Sequence, residues 1–246
     1  MSNDTVSNKA HLAVETRSLV KAFGNSKVLR GVDLCVPTRT TLAIFGANGA
    51  GKTTLIKLLS GIMRPSSGQV LISGLELKDN ARKVRSLLGL VAHQSYLYSN
   101  LTAWENLDFY ARMYGVEKRE TRISEMLKLV GLEAHRHSRF STFSRGMQQR
   151  MALARALLHQ PSILLLDEPE TGLDQQGLGA IWDILRYEGA NRTIIFASHS
   201  FERALSVCDD IAILGRGSIV YREQACNLNL AGLQQKYTEM IYVVKP

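Results

Sequence analysis

The alternation of apolar and polar positions changes character along the chain. From His11 to about Arg82, short apolar runs such as "KVLRGVDLCV", "TTLAIFG" and "GQVLISG" alternate with clusters of Gly, Pro and Ser. That pattern predicts strands joined by tight turns. Between about Tyr96 and Phe140, "AWENLDFYARMYG" and "RISEMLKLVGL" set Leu, Phe, Tyr and Met three and four residues apart among charges, which predicts helices. From Gly146 onward the order reads helix, strand, helix, strand. "MQQRMALARALLH" carries Met151, Ala154, Leu157 and Leu158 at helical spacing, and "SILLLD" and "TIIFAS" are apolar throughout. Strands without alternation are buried on both faces, as in parallel sheets covered by helices. There is no internal repeat, low-complexity segment or charge block.

The chemistry is placed by these elements. "GANGAGKTT", running Gly46, Ala47, Asn48, Gly49, Ala50, Gly51, Lys52, Thr53, Thr54, follows the apolar strand "TLAIF" and precedes the helical run "TLIKLLSGI". It matches GxxxxGK[ST] in the context that motif needs. Glycines let backbone N–H groups curl around phosphate oxygens, the lysine reaches the β and γ phosphates, and the Thr53 hydroxyl coordinates Mg²⁺. Asp167 ends the buried strand "SILLLD", where a carboxylate can hold the metal through water. Glu168 follows at once and suits a general base or a water-orienting group. Without the phosphate loop this pair would read as surface acids. His199 closes the strand "IIFAS". A lone histidine is usually structural, but one at a third strand end faces the edge where α/β sheets bind ligands, within reach of a γ-phosphate or the attacking water.

Another stretch also points to an anion. In "FSRGMQQR", Ser144, a spacer and Gly146 stand before the helical run, a capped helix start with unpaired N–H groups and a positive dipole. Met147 occupies the position where a Gln or Glu would close a capping box, a loss of about 0.5–1 kcal/mol of local helix stability.

Composition narrows the class. A chain of 246 residues buries a sizeable core, and we read one domain over 11–246 behind a loose tail at 1–10. No apolar run approaches the roughly 18 residues of a membrane span, and "MSNDTVSNKAHLAVE" lacks the apolar core of a secretory signal. A cytosolic location is expected. Cys35, Cys208 and Cys226 are far apart and without CxxC spacing, which suits reduced thiols. The net charge of +8, from 30 basic and 22 acidic residues, is spread along the chain. It admits nucleic acid or an anionic membrane as a neighbour, but reads as an ordinary basic surface. His135 and His137 have no further ligand at metal-binding spacing and read as a solvated loop.

With "GANGAGKTT", "ILLLDE", "FSRGM", "LVAHQ" and "ASHS" in this order, the chain resembles the ATP-binding cassette of an ABC transporter from about Leu12 to Gly217. The resemblance implies an α/β fold: a P-loop NTPase core of ABC type, with an N-terminal antiparallel β subdomain and an inserted α-helical subdomain near 96–150. It also implies an ATPase using ATP and Mg²⁺. Phe23 then corresponds to the aromatic that stacks on adenine, and Gln94 to the glutamine that touches Mg²⁺ and couples to the membrane subunit. Gly172, Leu173 and Asp174 correspond to the D-loop, and His199 to the switch histidine. Paired cassettes of the family meet head to tail, so Ser144 and Gly146 would hold the γ-phosphate bound by the partner's P-loop. Arg145 and Met147 depart from the family's LSGGQ; the arginine either adds positive charge toward nucleotide or partner, or faces solvent.

Further partners follow from the same resemblance. A separate integral-membrane subunit is expected, with the protein peripheral at the cytoplasmic face of the inner membrane, as a homodimer and without nucleic acid. Tyr96, Tyr98, Trp104, Phe109, Tyr110 and Tyr114 crowd behind Gln94. Most are expected in the core, with some lining a groove for a helix of that subunit. The stretch "SRGMQQRMALARALLHQPSILLLDEPETGLD" is similar to ATP-binding subunits of haem exporters for c-type cytochrome biogenesis. Another small exporter, for drugs or lipid-linked polymers, is the alternative, and a soluble ABC protein acting on ribosomes or DNA is a third.

Overall fold

A computed structural model describes residues 11–170 and 175–243. The elements run β1 (Leu12–Phe23), β2 (Ser26–Pro37), β3 (Thr41–Phe45), α1 (Lys52–Leu59), β4 (Ser67–Ile72), β5 (Leu75–Glu76), α2 (Ala81–Leu87) and β6 (Leu88–Val91). Then come α3 (Ala103–Tyr114), α4 (Arg119–Leu129), α5 (Arg145–Leu157), β7 (Ile163–Asp167), α6 (Gln175–Gly189) and β8 (Thr193–Ala197). The chain ends with α7 (Phe201–Leu205), β9 (Asp210–Gly215), β10 (Ser218–Gln224) and α8 (Leu230–Thr238).

The strands form two sheets. An antiparallel sheet has the order β2-β1-β4-β5, and a second sheet has the order β10-β9-β3-β8-β7-β6. In the latter, β9, β3, β8, β7 and β6 are mutually parallel and β10 is an antiparallel edge. The expected α/β cassette with an N-terminal antiparallel sheet is therefore present. β3, β7 and β8 are buried at every position, as their unbroken apolar runs require. Successive residues of β3 serve opposite faces: Leu42 and Ile44 join the core under the antiparallel sheet and α1, Ala43 and Phe45 the core under the helical layer.

The helical run expected from Tyr96 to Phe140 appears as α3 and α4. α3 begins with a capping box that the sequence reading overlooked, in which Glu105 N donates to Thr102 Oγ1 and Thr102 N donates to Glu105 Oε2. It ends at Gly115, whose left-handed backbone closes the helix. α2 lies mostly beyond the strand region that was expected to end near Arg82, in a stretch for which no element was expected; seven residues with one buried side chain, Val84, leave too little periodicity to read.

The aromatic cluster is corrected. α3 buries Ala103, Asn106, Leu107 and Ala111, so none of its aromatic residues is on the inward face. Tyr98 and Phe109 are exposed, and Tyr96, Trp104, Tyr110 and Tyr114 are half-buried rather than in the core.

Candidate active site

Parallel pairing fixes the geometry of the site. Because β3, β8, β7 and β6 are neighbours in that order, their carboxyl ends fall on one edge. The chain segments leaving them are the phosphate loop, Ser198–His199, Asp167–Glu168 and the Gln94 loop. Residues spread over more than a hundred positions thus line one sheet edge, the position where such sheets take ligands.

The phosphate loop is shaped by two glycines. A Cβ at Gly46 would sit 2.5 Å from the Leu214 carbonyl oxygen of β9. Gly51 caps α1 at φ 107°, and a Cβ there would meet Leu29 Cδ2 at 2.7 Å. Lys52, the first residue of α1, is buried and donates from Nζ to the Gly46 carbonyl at 2.7 Å. Burial lowers its pKa, opposed by the charges of Glu168 and Asp167. Thr53 Oγ1 donates to Asp167 Oδ1 at 3.1 Å, which joins the loop to the end of β7. Burial pushes the Asp167 carboxyl up, and the Thr53 hydrogen bond pulls it back.

Glu168 has φ 52°, a left-handed backbone without glycine's freedom. Such strain persists where surrounding bonds enforce it. Here the Glu168 N–H donates to the Ala197 carbonyl of β8 at 3.1 Å. Its Oε1 lies 2.8 Å from His199 Nε2 and 4.0 Å from Lys52 Nζ, so one carboxylate oxygen faces both the histidine and the lysine.

Glu170 was not singled out from the sequence. Its Oε1 accepts from Ser198 Oγ at 2.6 Å and from the His199 N–H at 3.2 Å, fixing the backbone that carries the histidine. Its signal was the acid spacing of "DEPE", which only a neighbouring strand end turns into a contact. Gln149 of α5 likewise donates to the Pro169 carbonyl at 3.1 Å.

A cavity of about 760 Å³ opens onto this edge, lined by Thr53, Gln94, Asp167 and Glu168 and, across it, by Arg145, Gln148 and Gln149 of α5. Gln94 is exposed in the loop after β6. Ser144 caps α5 as expected, accepting from the Met147 N–H at 3.3 Å, without a capping box. Among the described residues, neither Ser144 nor Gly146 lines that cavity or bonds to the phosphate loop. Phe23 is exposed at the end of β1, not in the core, with Lys21 Nζ 5.1 Å from its ring centroid. Asn48 and Gly49 are exposed at the loop tip. Gly172, Leu173 and Asp174 lie outside the described residues.

A phosphate loop, a buried carboxylate bonded to its threonine, and an acid–histidine pair on one parallel edge define a P-loop nucleotide hydrolase. The family model for "ABC transporter" matches residues 29–171. The chain is 34% identical over 200 residues to the ABC transporter ATP-binding protein NatA of Bacillus subtilis, covering 80% of this chain and 81% of that protein. It is 34% identical over 228 residues to the bacitracin transport ATP-binding protein BcrA of Enterococcus faecalis, covering 92% and 73%. Among solved structures, the dimeric post-hydrolysis cassette MJ0796 bound to ADP and Pi superposes with a TM-score of 0.79 at 27% identity, over 86% of this chain and 98% of that one. The chain belongs to the ABC transporter family as an ATP-binding, ATP-hydrolysing subunit. No helix among the described residues is long and apolar enough to cross a membrane.

Proposed function

We propose that the chain hydrolyses Mg²⁺-ATP as one of two head-to-tail cassettes that power export through a separate integral-membrane subunit, at the cytoplasmic face of the membrane. The observation that carries the catalytic assignment is the Glu168 oxygen placed between His199 and Lys52. In this reading Lys52 exchanges the Gly46 carbonyl for phosphate oxygens, a charge-assisted bond stronger than the neutral one it replaces. Glu168 orients the attacking water and accepts its proton, and His199 holds that carboxylate and the γ-phosphate. Thr53, Asp167 and Gln94 are oxygen donors of the kind Mg²⁺ takes alongside substrate phosphates; bound there, the ion would neutralise charge on the phosphates. Phe23 offers an exposed ring for adenine, and Ala47, Asn48, Gly49, Ala50, Gly51 and Thr54 complete the nucleotide cradle, with Asp174 assigned to the site by resemblance.

Among the described residues, Ser144 and Gly146 do not line the cavity beside the chain's own phosphate loop, which supports their use on the partner's nucleotide. The test is Gly146→Asp. An acid in the first turn suits the helix dipole, so the fold is preserved while the charge repels a γ-phosphate. ATP should still bind and hydrolysis should fail. Mixing Gly146→Asp chains with Lys52→Ala chains should restore activity through one complete site. Wild-type hydrolysis by Gly146→Asp overturns the head-to-tail assignment.

For the membrane subunit, a groove of about 250 Å³ lined by Ile62, Arg85, Tyr96, Tyr110, Tyr114 and His159 supports a docking site for one of its helices. For cargo, BcrA is by name a bacitracin transport ATP-binding protein, which supports the drug-exporter reading. Haem export rests on the signature stretch alone. Deleting the gene separates the two: loss of drug resistance with normal holo-cytochrome c supports the first, and loss of holo-cytochrome c the second.

A further inference from the structure

Two residues beyond His199 the chain enters a set of contacts that the catalytic reading does not use. Phe201, the first residue of α7, lies between two other rings. Its centroid is 4.6 Å from that of Phe45 and 5.1 Å from that of Tyr237, the second pair edge to face. Phe45 ends β3 and immediately precedes Gly46. Tyr237 belongs to α8, which is N-capped by Asn229 through the Gly232 N–H at 2.8 Å and is rooted by the fully buried Leu233. Met240 and Ile241, just beyond α8, pack on the same core. Three rings from three distant segments therefore join the strand of the phosphate loop, the histidine segment and the C-terminal helix.

His199 needs such support. Its side chain is 48% exposed. Its amino side is tied down by Glu170, which accepts from Ser198 Oγ and from the His199 N–H. Its carboxyl side runs into α7, a helix of five residues with no side-chain cap, too short to hold itself. That side is held by packing and one bond: Phe201 and Leu205 lie against the core, Ala204 is fully buried in it, and the Ser200 N–H donates to Ser198 Oγ at 3.0 Å, with Phe201 the packed side chain nearest the histidine in sequence. Phe45, in contrast, is pinned within β3 between β8 and β9, so loosening the outer ring of the row moves the histidine segment and leaves the phosphate loop in place.

We propose that α8 is a brace for hydrolysis: Tyr237, acting through Phe201, positions His199 against Glu168, so the C-terminal helix governs turnover of bound ATP but not its binding. The proposal rests on the reading of Glu168 and His199 as the hydrolytic pair. Tyr237 is a positioning residue, acting through contacts that small displacements disrupt.

The test compares Tyr237→Leu, Tyr237→Phe, His199→Ala and the double variant Tyr237→Leu/His199→Ala in the full chain, measuring steady-state ATP hydrolysis and ATP affinity separately. Tyr237→Leu should lower kcat about tenfold and leave ATP affinity within about twofold. Tyr237→Phe, which keeps the ring, should restore kcat. The double variant should be no slower than His199→Ala alone, because the brace then has nothing to position. Unchanged kcat in Tyr237→Leu overturns the proposal, as does an equal further loss in the His199→Ala background. If Tyr237→Leu does not fold, Phe201→Leu carries the same comparison. Wild-type turnover by His199→Ala marks the separate failure of the hydrolytic reading and removes the brace with it.

Discussion

Thr53 and Asp167 meet at 3.1 Å, the hydroxyl donating to the carboxylate across the start of α1 and the end of β7. The pair places two hard oxygen donors side by side beside the phosphate loop, although they lie 114 positions apart in sequence. Thr53→Val keeps the shape of the side chain and removes the donor. The Mg²⁺ dependence of ATP binding should shift to about tenfold to hundredfold higher metal concentration, while metal-free nucleotide binding stays near wild type. A titration of ATP affinity against Mg²⁺ checks it, and an unshifted curve removes Thr53 from the metal site.

Glu168 and Lys52 should separate catalysis from binding. Glu168→Gln keeps the shape at a backbone already held at φ 52° and should cut hydrolysis by roughly 10²-fold or more with ATP still bound. Lys52→Ala removes the charge proposed to meet phosphate in the ground state and should weaken ATP binding itself. Equilibrium binding and turnover, measured on both variants, test the assignment; equal affinity losses would contradict it.

Gly51 should tolerate no side chain. Its φ of 107° is strained for any L-residue, and a Cβ would lie 2.7 Å from Leu29 Cδ2. Gly51→Ala should cost about 2–4 kcal/mol of stability and weaken ATP binding as the loop opens. Gly49→Ala has a positive φ of 79° but open space around it, so it should cost less. Denaturant unfolding of the two variants, run side by side, gives the comparison.

His159 makes stability depend on pH. Burial lowers its pKa from 6.5 to about 4, opposed by its bond to the Leu88 carbonyl, with the charges of Arg155, Arg192 and Arg122 lowering it further. Its ring stacks on Tyr114 at 3.9 Å and Nε2 lies 3.0 Å from that carbonyl. Between pH 6.5 and about 4 the unfolded chain binds more protons than the folded one, so stability falls on acidification through this window, by at most about 1.4 kcal/mol per pH unit. His159→Gln should flatten that slope. Urea midpoints at pH 7 and pH 5 decide it: an unchanged difference in the variant would place the effect elsewhere.

Much of the molecule was legible from local pattern. The unbroken apolar runs of β3, β7 and β8 required burial on both faces, and the four-residue spacing in α3 and α5 required helices, because each depends only on period and neighbours in sequence. The loop motif was legible too, since its glycines, lysine and threonines all fall between Gly46 and Thr54. Tertiary structure decided what depends on strand order. Only the placement of β8 between β3 and β7 brings His199 to Glu168, and only that adjacency gives Glu170 its two donors. It also decided which face of α3 is buried: Ala103, Asn106, Leu107 and Ala111 point inward, and Tyr110 and Tyr114 are left beside Tyr96 at the rim of a groove. Side-chain type sets what a residue can do, whereas contacts across the sheet, which no sequence period encodes, set what it meets.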